Sequence, residues 1–212
     1  MLTTKTVDEF IDAVSSNSPA PGGGSVAALA GTLGTALTSM VCNLTIGKKK
    51  YLDVQGEMEE VLKQSETLRA SLTKLVDEDT EAFNAVMSAM NLPKETEEQR
   101  RQRSEAIQRV TKNATEIPLR VMQLCEDALA LTKTVAEKGN VNSISDAGVA
   151  ALMLRAGCLG AKLNVQINLG GLNDSVFMRE TTSRAESISQ RVEAMSHDIL
   201  ERVNKSLSPT LS

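Results

Sequence analysis

Between Ala13 and Gly47 the chain carries no charged residue, and Gly, Ala, Ser and Thr make up most of the stretch. Few structures accept such a segment. It is long enough to cross a bilayer. Its many small polar residues, and the Lys48-Lys49-Lys50 run that follows, fit better a helix buried inside a bundle or between subunits, so no membrane span is expected. Ala27, Gly31, Thr35 and Ser39 recur four apart, as do Ala30, Gly34 and Thr38. Rows of small residues let helix backbones approach closely, within a chain or across a dimer. A second apolar stretch, from Ser143 or Ser145 to about Asn168, repeats the device with Ala156 and Gly160 and with Gly157 and Ala161. Two helices with so little polar surface do not suit the outside of a monomer, and a homo-oligomer is expected.

The rest of the chain agrees with a helical fold. Of 212 residues, 41% are hydrophobic but only 2% are aromatic, so the core is built from Ala, Leu, Val, Ile and Met. That mixture suits packed helices better than a sandwich of sheets. No segment alternates apolar and polar residues with a period of two. Thr6-Val7-Asp8-Glu9 has capping-box spacing and opens a short first helix. Helices then run from Ser25 to about Thr45, from about Gln55 to Met90, and from the Thr96 cap to about Lys138. Pro118 is expected to kink or split the third of these. Gly139 ends it, and Asp174 caps the last helix. The reading is an all-α antiparallel bundle of about six helices in one domain, residues 1–207, with 208–212 as a disordered tail.

Composition also narrows function. A formal net charge of −4 with few aromatics argues against a nucleic-acid binder. Cys42, Cys125 and Cys158 are scattered and odd in number, which reads as reduced, mostly buried thiols of a cytoplasmic protein. The start, MLTTKTVDEF, is not a signal peptide. His197 is the only histidine and falls on the polar side of its helix. No Ser-His-Asp set, Cys-His pair or zinc site can be assembled, and neither a metal nor a cofactor is expected.

One acid breaks the pattern. On a helical wheel Asp79 falls within the stripe formed by Leu68, Leu72, Leu75, Val76, Phe83, Val86 and Met90. Asp77, Glu78 and Glu81 turn away from it and are expected in solvent. A carboxylate in an apolar stripe must be partnered, protonated or set beside a cavity. Burial also raises its pKa towards the range useful for acid–base catalysis. A structural ion pair and a catalytic acid both satisfy these conditions.

Three further stretches each have a structural and a functional reading. In PAPGGGS, Gly22, Gly23, Gly24 and Ser25 form either a connector with a serine cap or a helix N-terminus that binds a carboxylate or phosphate. Lys48, Lys49 and Lys50 are either a solvated helix end or an attractor of an anionic substrate. In NVNSISDAG, Asn140, Asn142, Ser145 and Asp146 form either a capped turn or a loop that reads a heterocycle edge.

Together PAPGGGSVAALAGTLGTAL, LTIGKKKY, DEDTEAFNAVMSAMNLPK and NVNSISDAGVAALMLRA resemble the cyclodeaminase/cyclohydrolase family of folate metabolism, the C-terminal half of formiminotransferase-cyclodeaminase. The resemblance covers about Val7 to Leu200. It implies an all-α dimer with a folate site in a cleft near the subunit interface. It implies one of two reactions: closure of 5-formimidoyltetrahydrofolate to 5,10-methenyltetrahydrofolate with loss of ammonia, taken first, or hydration of the methenyl bridge to 10-formyltetrahydrofolate. A helical folate-binding or dimerisation protein without catalysis is the remaining alternative. The family's catalytic aspartate lies in an Asp-x-x-Ala-Phe motif, which falls here on Asp79. Lys48, Lys49 and Lys50, or the Gly22–Ser25 turn, are then expected to meet the glutamate tail of the folate. Asn140, Asn142, Ser145 and Asp146 are expected to read the pterin.

Overall fold

The computed structural model describes residues 1–208. Residues 209–212 of the expected tail lie outside the described residues. Six α-helices carry the fold: α1 Val7–Ser15, α2 Gly23–Thr45, α3 Gln55–Met90, α4 Glu97–Lys138, α5 Ile144–Leu169 and α6 Ser175–Leu207. Short 3-10 turns occur at Leu2–Thr4, Lys49–Val54 and Val141–Ser143, and no strand occurs among the described residues. This is the all-α bundle that the sequence predicts.

The caps explain where the helices start. Thr6 and Glu9 form a reciprocal capping box at α1, as Thr96 and Gln99 do at α4. Asp174 accepts hydrogen bonds from the backbone N–H groups of Val176 and Phe177 and so opens α6. α2 starts at Gly23 rather than Ser25, and no side chain of its own loop caps it. The group that meets its N-terminus comes from α3, as described below.

α2 lies at the centre and packs on α3, α4 and α5, while α6 covers α4 and α5 from outside. α1 contributes no buried residue. The rows of small residues act within the chain. A Cβ on Gly157 of α5 would lie 2.8 Å from the Ala27 carbonyl oxygen and 2.9 Å from the Gly31 nitrogen of α2. Only a hydrogen at that position lets the two backbones come so near. The threonines of α2 solve the polar side of burial locally. Thr35, Thr38 and Thr45 donate to the carbonyls of Gly31, Gly34 and Val41, one turn back. α2 and the Val141–Leu169 segment are both long and apolar enough to cross a membrane, and 61% and 50% of their most apolar windows are buried inside the protein.

Pro118 does not split α4, which runs unbroken from Glu97 to Lys138. A proline removes the N–H that would bond the carbonyl four residues back, here Ala114. Asn168 of α5 supplies the replacement, its Nδ2 donating to the Ala114 oxygen at 3.0 Å. The defect is repaired from the neighbouring helix, and the repair ties α4 to α5.

Candidate active site

Asp79 leaves α3 towards the N-terminus of α2. Ser25 Oγ donates to its Oδ2 at 2.9 Å, and the Ser25 backbone N–H beside the same carboxylate favours its charged form. A Cβ on Gly24 would lie 2.1 Å from Asp79 Oδ1, so only glycine lets the carboxylate reach the helix end. The first turn of α2 is therefore an anion site, as the glycine run suggested, but the anion is the protein's own. Gly24 and Ser25 are expected from the sequence to meet a substrate carboxylate; in the fold Asp79 occupies that helix end, and Gly24 lines the cavity beside it.

Burial and hydrogen bonding act on Asp79 in opposite directions. Loss of water raises its pKa, and the two donors of Ser25 lower it. Burial prevails and the carboxyl titrates above the ordinary aspartate range. The result is a half-buried acid that is held in place and takes up a proton at higher pH than a solvated aspartate does.

Beside it lies a cavity of about 340 Å³, within the size range of small-molecule sites. Pro19, Ala20, Gly22, Gly23 and Gly24 form one wall, and Ala82, Phe83, Val86, Met87 and Met90 of α3 another. The apolar stripe around Asp79 thus has two parts. Leu72, Leu75 and Val76 are fully buried core, whereas Phe83, Val86 and Met90 line the hollow. Ala114 of α4 and Asn164, Ile167 and Asn168 of α5 complete the lining. Larger open grooves between α4 and α6 are bordered by Arg179, Arg184 and Arg191 and hold no buried acid.

Asp77 departs from the sequence reading. It was expected in solvent, yet it is buried and accepts hydrogen bonds from the Leu2 N–H and, at 2.7 Å, from Thr3 Oγ1. The N-terminal segment folds back over it, a contact between residues 75 apart that helical periodicity does not reveal. Glu78 pairs with Lys74 and Arg120 at the surface, and Glu81 is exposed.

The other sequence candidates gather at the far end of α2. That helix has 23 residues, about 35 Å at 1.5 Å per residue. Asn140 is buried there. Its N–H donates to Thr45 Oγ1 at 2.8 Å, its Nδ2 to the Leu44 carbonyl at 3.0 Å, and its Oδ1 accepts from the Asn142 N–H at 3.2 Å. Asn140 is thus a joint between α2 and α5. Lys48, Lys49, Lys50, Asn142 and Ser145 are exposed, and Asp146 is half-buried. Within one chain none of these residues lines the Asp79 cavity.

Asn164 and Asn168 do line it, and the sequence reading passed over them. The available signal was the one that singled out Asp79: polar side chains recurring four apart in an apolar helix. The thiols are not candidates for nucleophiles, since all three are buried. Burial pushes Cys42 up to about 11, Cys158 to about 12, and Cys125 well above the usual thiol range. His197 is exposed on α6.

Known proteins share this architecture. The family model described as formiminotransferase-cyclodeaminase matches residues 6–187. Methenyltetrahydrofolate cyclohydrolase of Methylorubrum extorquens is 45% identical over 98% of this chain and 100% of its own length. Formimidoyltransferase-cyclodeaminase of Rattus norvegicus is 37% identical over 94% of this chain, which spans 37% of that longer protein. A crystal structure of formiminotetrahydrofolate cyclodeaminase from Thermotoga maritima superposes with a TM-score of 0.83 at 33% identity, covering 98% of each chain. The chain belongs to the formiminotransferase-cyclodeaminase family.

Proposed function

We propose that the protein is a methenyltetrahydrofolate cyclohydrolase in which Asp79 moves the protons. The carrying observation is a half-buried carboxyl of raised pKa, pinned by Ser25 and facing an apolar cavity. Asp79 takes a proton from water as the water oxygen attacks the cationic methenyl carbon. It then delivers that proton to N5 as the carbon–N5 bond breaks. The second proton of the water leaves the carbinol oxygen for solvent, and the formyl group stays on N10. One positioned acid–base group contributes about 10²–10⁴-fold. The substrate's positive charge also favours the ionised carboxylate that burial disfavours, so binding prepares the base.

The 45% identity over the whole length of the Methylorubrum cyclohydrolase supports hydrolysis over the deamination that the sequence reading put first. Cyclodeamination is the second reading, favoured by the likeness to the Thermotoga cyclodeaminase. The same carboxylate suits it: N10 attacks the formimidoyl carbon, and a proton passes from N10 to the departing nitrogen. Absorbance of methenyltetrahydrofolate separates the two. Loss of the methenyl signal above the uncatalysed rate marks the hydrolase, and its appearance from the formimidoyl compound with ammonia release marks the deaminase. Binding without turnover of either marks a folate-binding protein and overturns both readings.

A homodimer forms part of the proposal. Val26, Leu33 and Met40 on α2 and Val149, Leu152, Leu163 and Ile167 on α5 are exposed on the two most apolar helices. A second copy is the occupant that this uncharged face suits. With the two α2 helices antiparallel, the partner subunit would bring its Lys48, Lys49 and Lys50 towards a cavity that no cation lines within one chain. At its mouth they would attract the carboxylates of the folate tail, outside the part of the cavity that takes the ring. Sedimentation at micromolar concentration is expected to give twice the chain mass, and a monomer there contradicts the dimer.

A further inference from the structure

We infer that Asn164 and Asn168 form an acceptor edge that reads the amino side of the substrate's pterin ring, an inference that rests on the folate reading above. α5 sets the two residues four apart, on one face of the helix, and both line the cavity that holds Asp79. Their orientation follows from hydrogen bonding. Asn164 Nδ2 donates to the Gly160 carbonyl at 2.9 Å, and Asn168 Nδ2 donates to the Ala114 carbonyl at 3.0 Å. A carbonyl oxygen only accepts, so the anchored atom of each amide is the nitrogen. Neither Oδ1 receives a hydrogen bond from any group among the described residues.

The cavity therefore offers two amide oxygens and a carboxylate. No residue lining it is cationic, so it suits the ring of a folate rather than its glutamate tail. A tetrahydropterin donates from its 2-amino group and N3–H and accepts at its 4-oxo group. Turning the 2-amino side to α5 pairs donors with acceptors. Turning the 4-oxo side there opposes acceptor to acceptor, and a site left with unpaired polar groups binds poorly. Asn164 and Asp79 flank two adjacent residues of the first turn of α2, on either side of the space a bicyclic ring would fill. The Cβ position of Gly23 is 3.5 Å from Asn164 Nδ2, and that of the adjacent Gly24 is 2.1 Å from Asp79 Oδ1. With the amino edge on α5, the N5–N10 bridge faces Asp79.

Asn164 is the residue to change, because its anchor lies within its own helix, whereas Asn168 also supports the carbonyl freed by Pro118. The experiment compares wild type, Asn164→Leu and Asn164→Asp. It measures KM and kcat for both folates, calorimetric affinity for tetrahydropterin and for its 2-desamino-2-methyl analogue, and Tm. Asn164→Leu is expected to raise KM and weaken tetrahydropterin binding by about 10- to 100-fold, with kcat and Tm nearly unchanged. Asn164→Asp keeps an acceptor and should bind within a few-fold of wild type. Wild type should prefer tetrahydropterin over the analogue, and Asn164→Leu should not distinguish them. Unchanged tetrahydropterin affinity in Asn164→Leu of an active enzyme overturns this inference alone. A wild type that turns over neither folate and binds no tetrahydropterin overturns the folate reading as well.

Discussion

At its N-terminal end α2 meets Asp79 of α3, and at its C-terminal end it meets Asn140 ahead of α5. Both are polar groups brought from distant sequence to a helix terminus, and both use the backbone atoms that a helix leaves unpaired there. They differ in what surrounds them. Asn140 is saturated: its N–H, amide nitrogen and amide oxygen all have partners, and the residue is buried. Asp79 is pinned by Ser25 yet fronts a cavity of about 340 Å³. A second acid sharpens the contrast. Asp77, two residues from Asp79 on the same helix, is more buried but covered by Leu2 and Thr3. Burial alone does not make a reactive carboxylate. Reactivity needs burial on one side and room for a substrate on the other.

Replacing the open carboxylate should have the largest effect. Asp79→Asn is expected to lower kcat by about 10²–10⁴-fold and, unusually for a loss of function, to raise Tm. The folded-state pKa of Asp79 lies above its unfolded value. Its contribution to stability is therefore present below the unfolded pKa and lost as pH rises through the folded one, so at neutral pH the charged group costs stability. Thermal melts at pH 7 check the sign, with about 2–4 °C expected per kcal/mol. A fall in Tm would place Asp79 with Asn140, as a structural tie.

Gly24→Ala perturbs the same end without touching the carboxyl chemistry. The added methyl collides with Asp79 Oδ1 and must displace it. Activity is expected to fall by at least about tenfold, with about 1–3 kcal/mol lost to overpacking. Unchanged kcat would mean that the position of the carboxylate is not critical. At the saturated end the outcome should reverse. Asn140→Ala leaves the Leu44 carbonyl and the Asn142 N–H without their partner, which costs about 1–3 kcal/mol of stability, while kcat of the folded enzyme stays the same. The smallest effect belongs to Ser25→Ala. Its hydrogen bonds hold down the pKa of Asp79; removing the hydroxyl should move the acid limb of the pH–rate profile to higher pH and leave the plateau rate within a few-fold.

The same contrast separates what the sequence reveals from what it conceals. The capping boxes at Thr6 and Thr96 and the cap at Asp174 are local patterns, and each lies where its spacing predicts. Asp79 was legible because its neighbours at helical spacing are apolar. Asp77 was misread because its partners are 74 and 75 residues away. The unbroken course of α4 through Pro118 depends on Asn168, 54 residues from Ala114. The glycine turn was recognised as an anion site, but no local pattern shows that the anion comes from α3. Asn140, Asn142, Ser145 and Asp146 are short polar residues clustered in sequence, and within one chain they lie at the far end of α2 from the Asp79 cavity. In the fold Asn140 closes a joint, while the amides beside Asp79 are Asn164 and Asn168 of α5.

The central claim is that Asp79 is the proton-transfer group, and the pH dependence of kcat/KM, which reports groups of the free enzyme, tests it most directly in wild type and Asp79→Asn, using initial rates of methenyltetrahydrofolate hydrolysis corrected for the uncatalysed reaction. Burial raises the pKa of Asp79, and a base is lost as pH falls through its pKa, so wild type should show an acid limb that begins above the ordinary aspartate range. Asp79→Asn should retain only a slow rate without that limb. The same acid limb in both proteins would assign the proton transfer to another group and contradict the account.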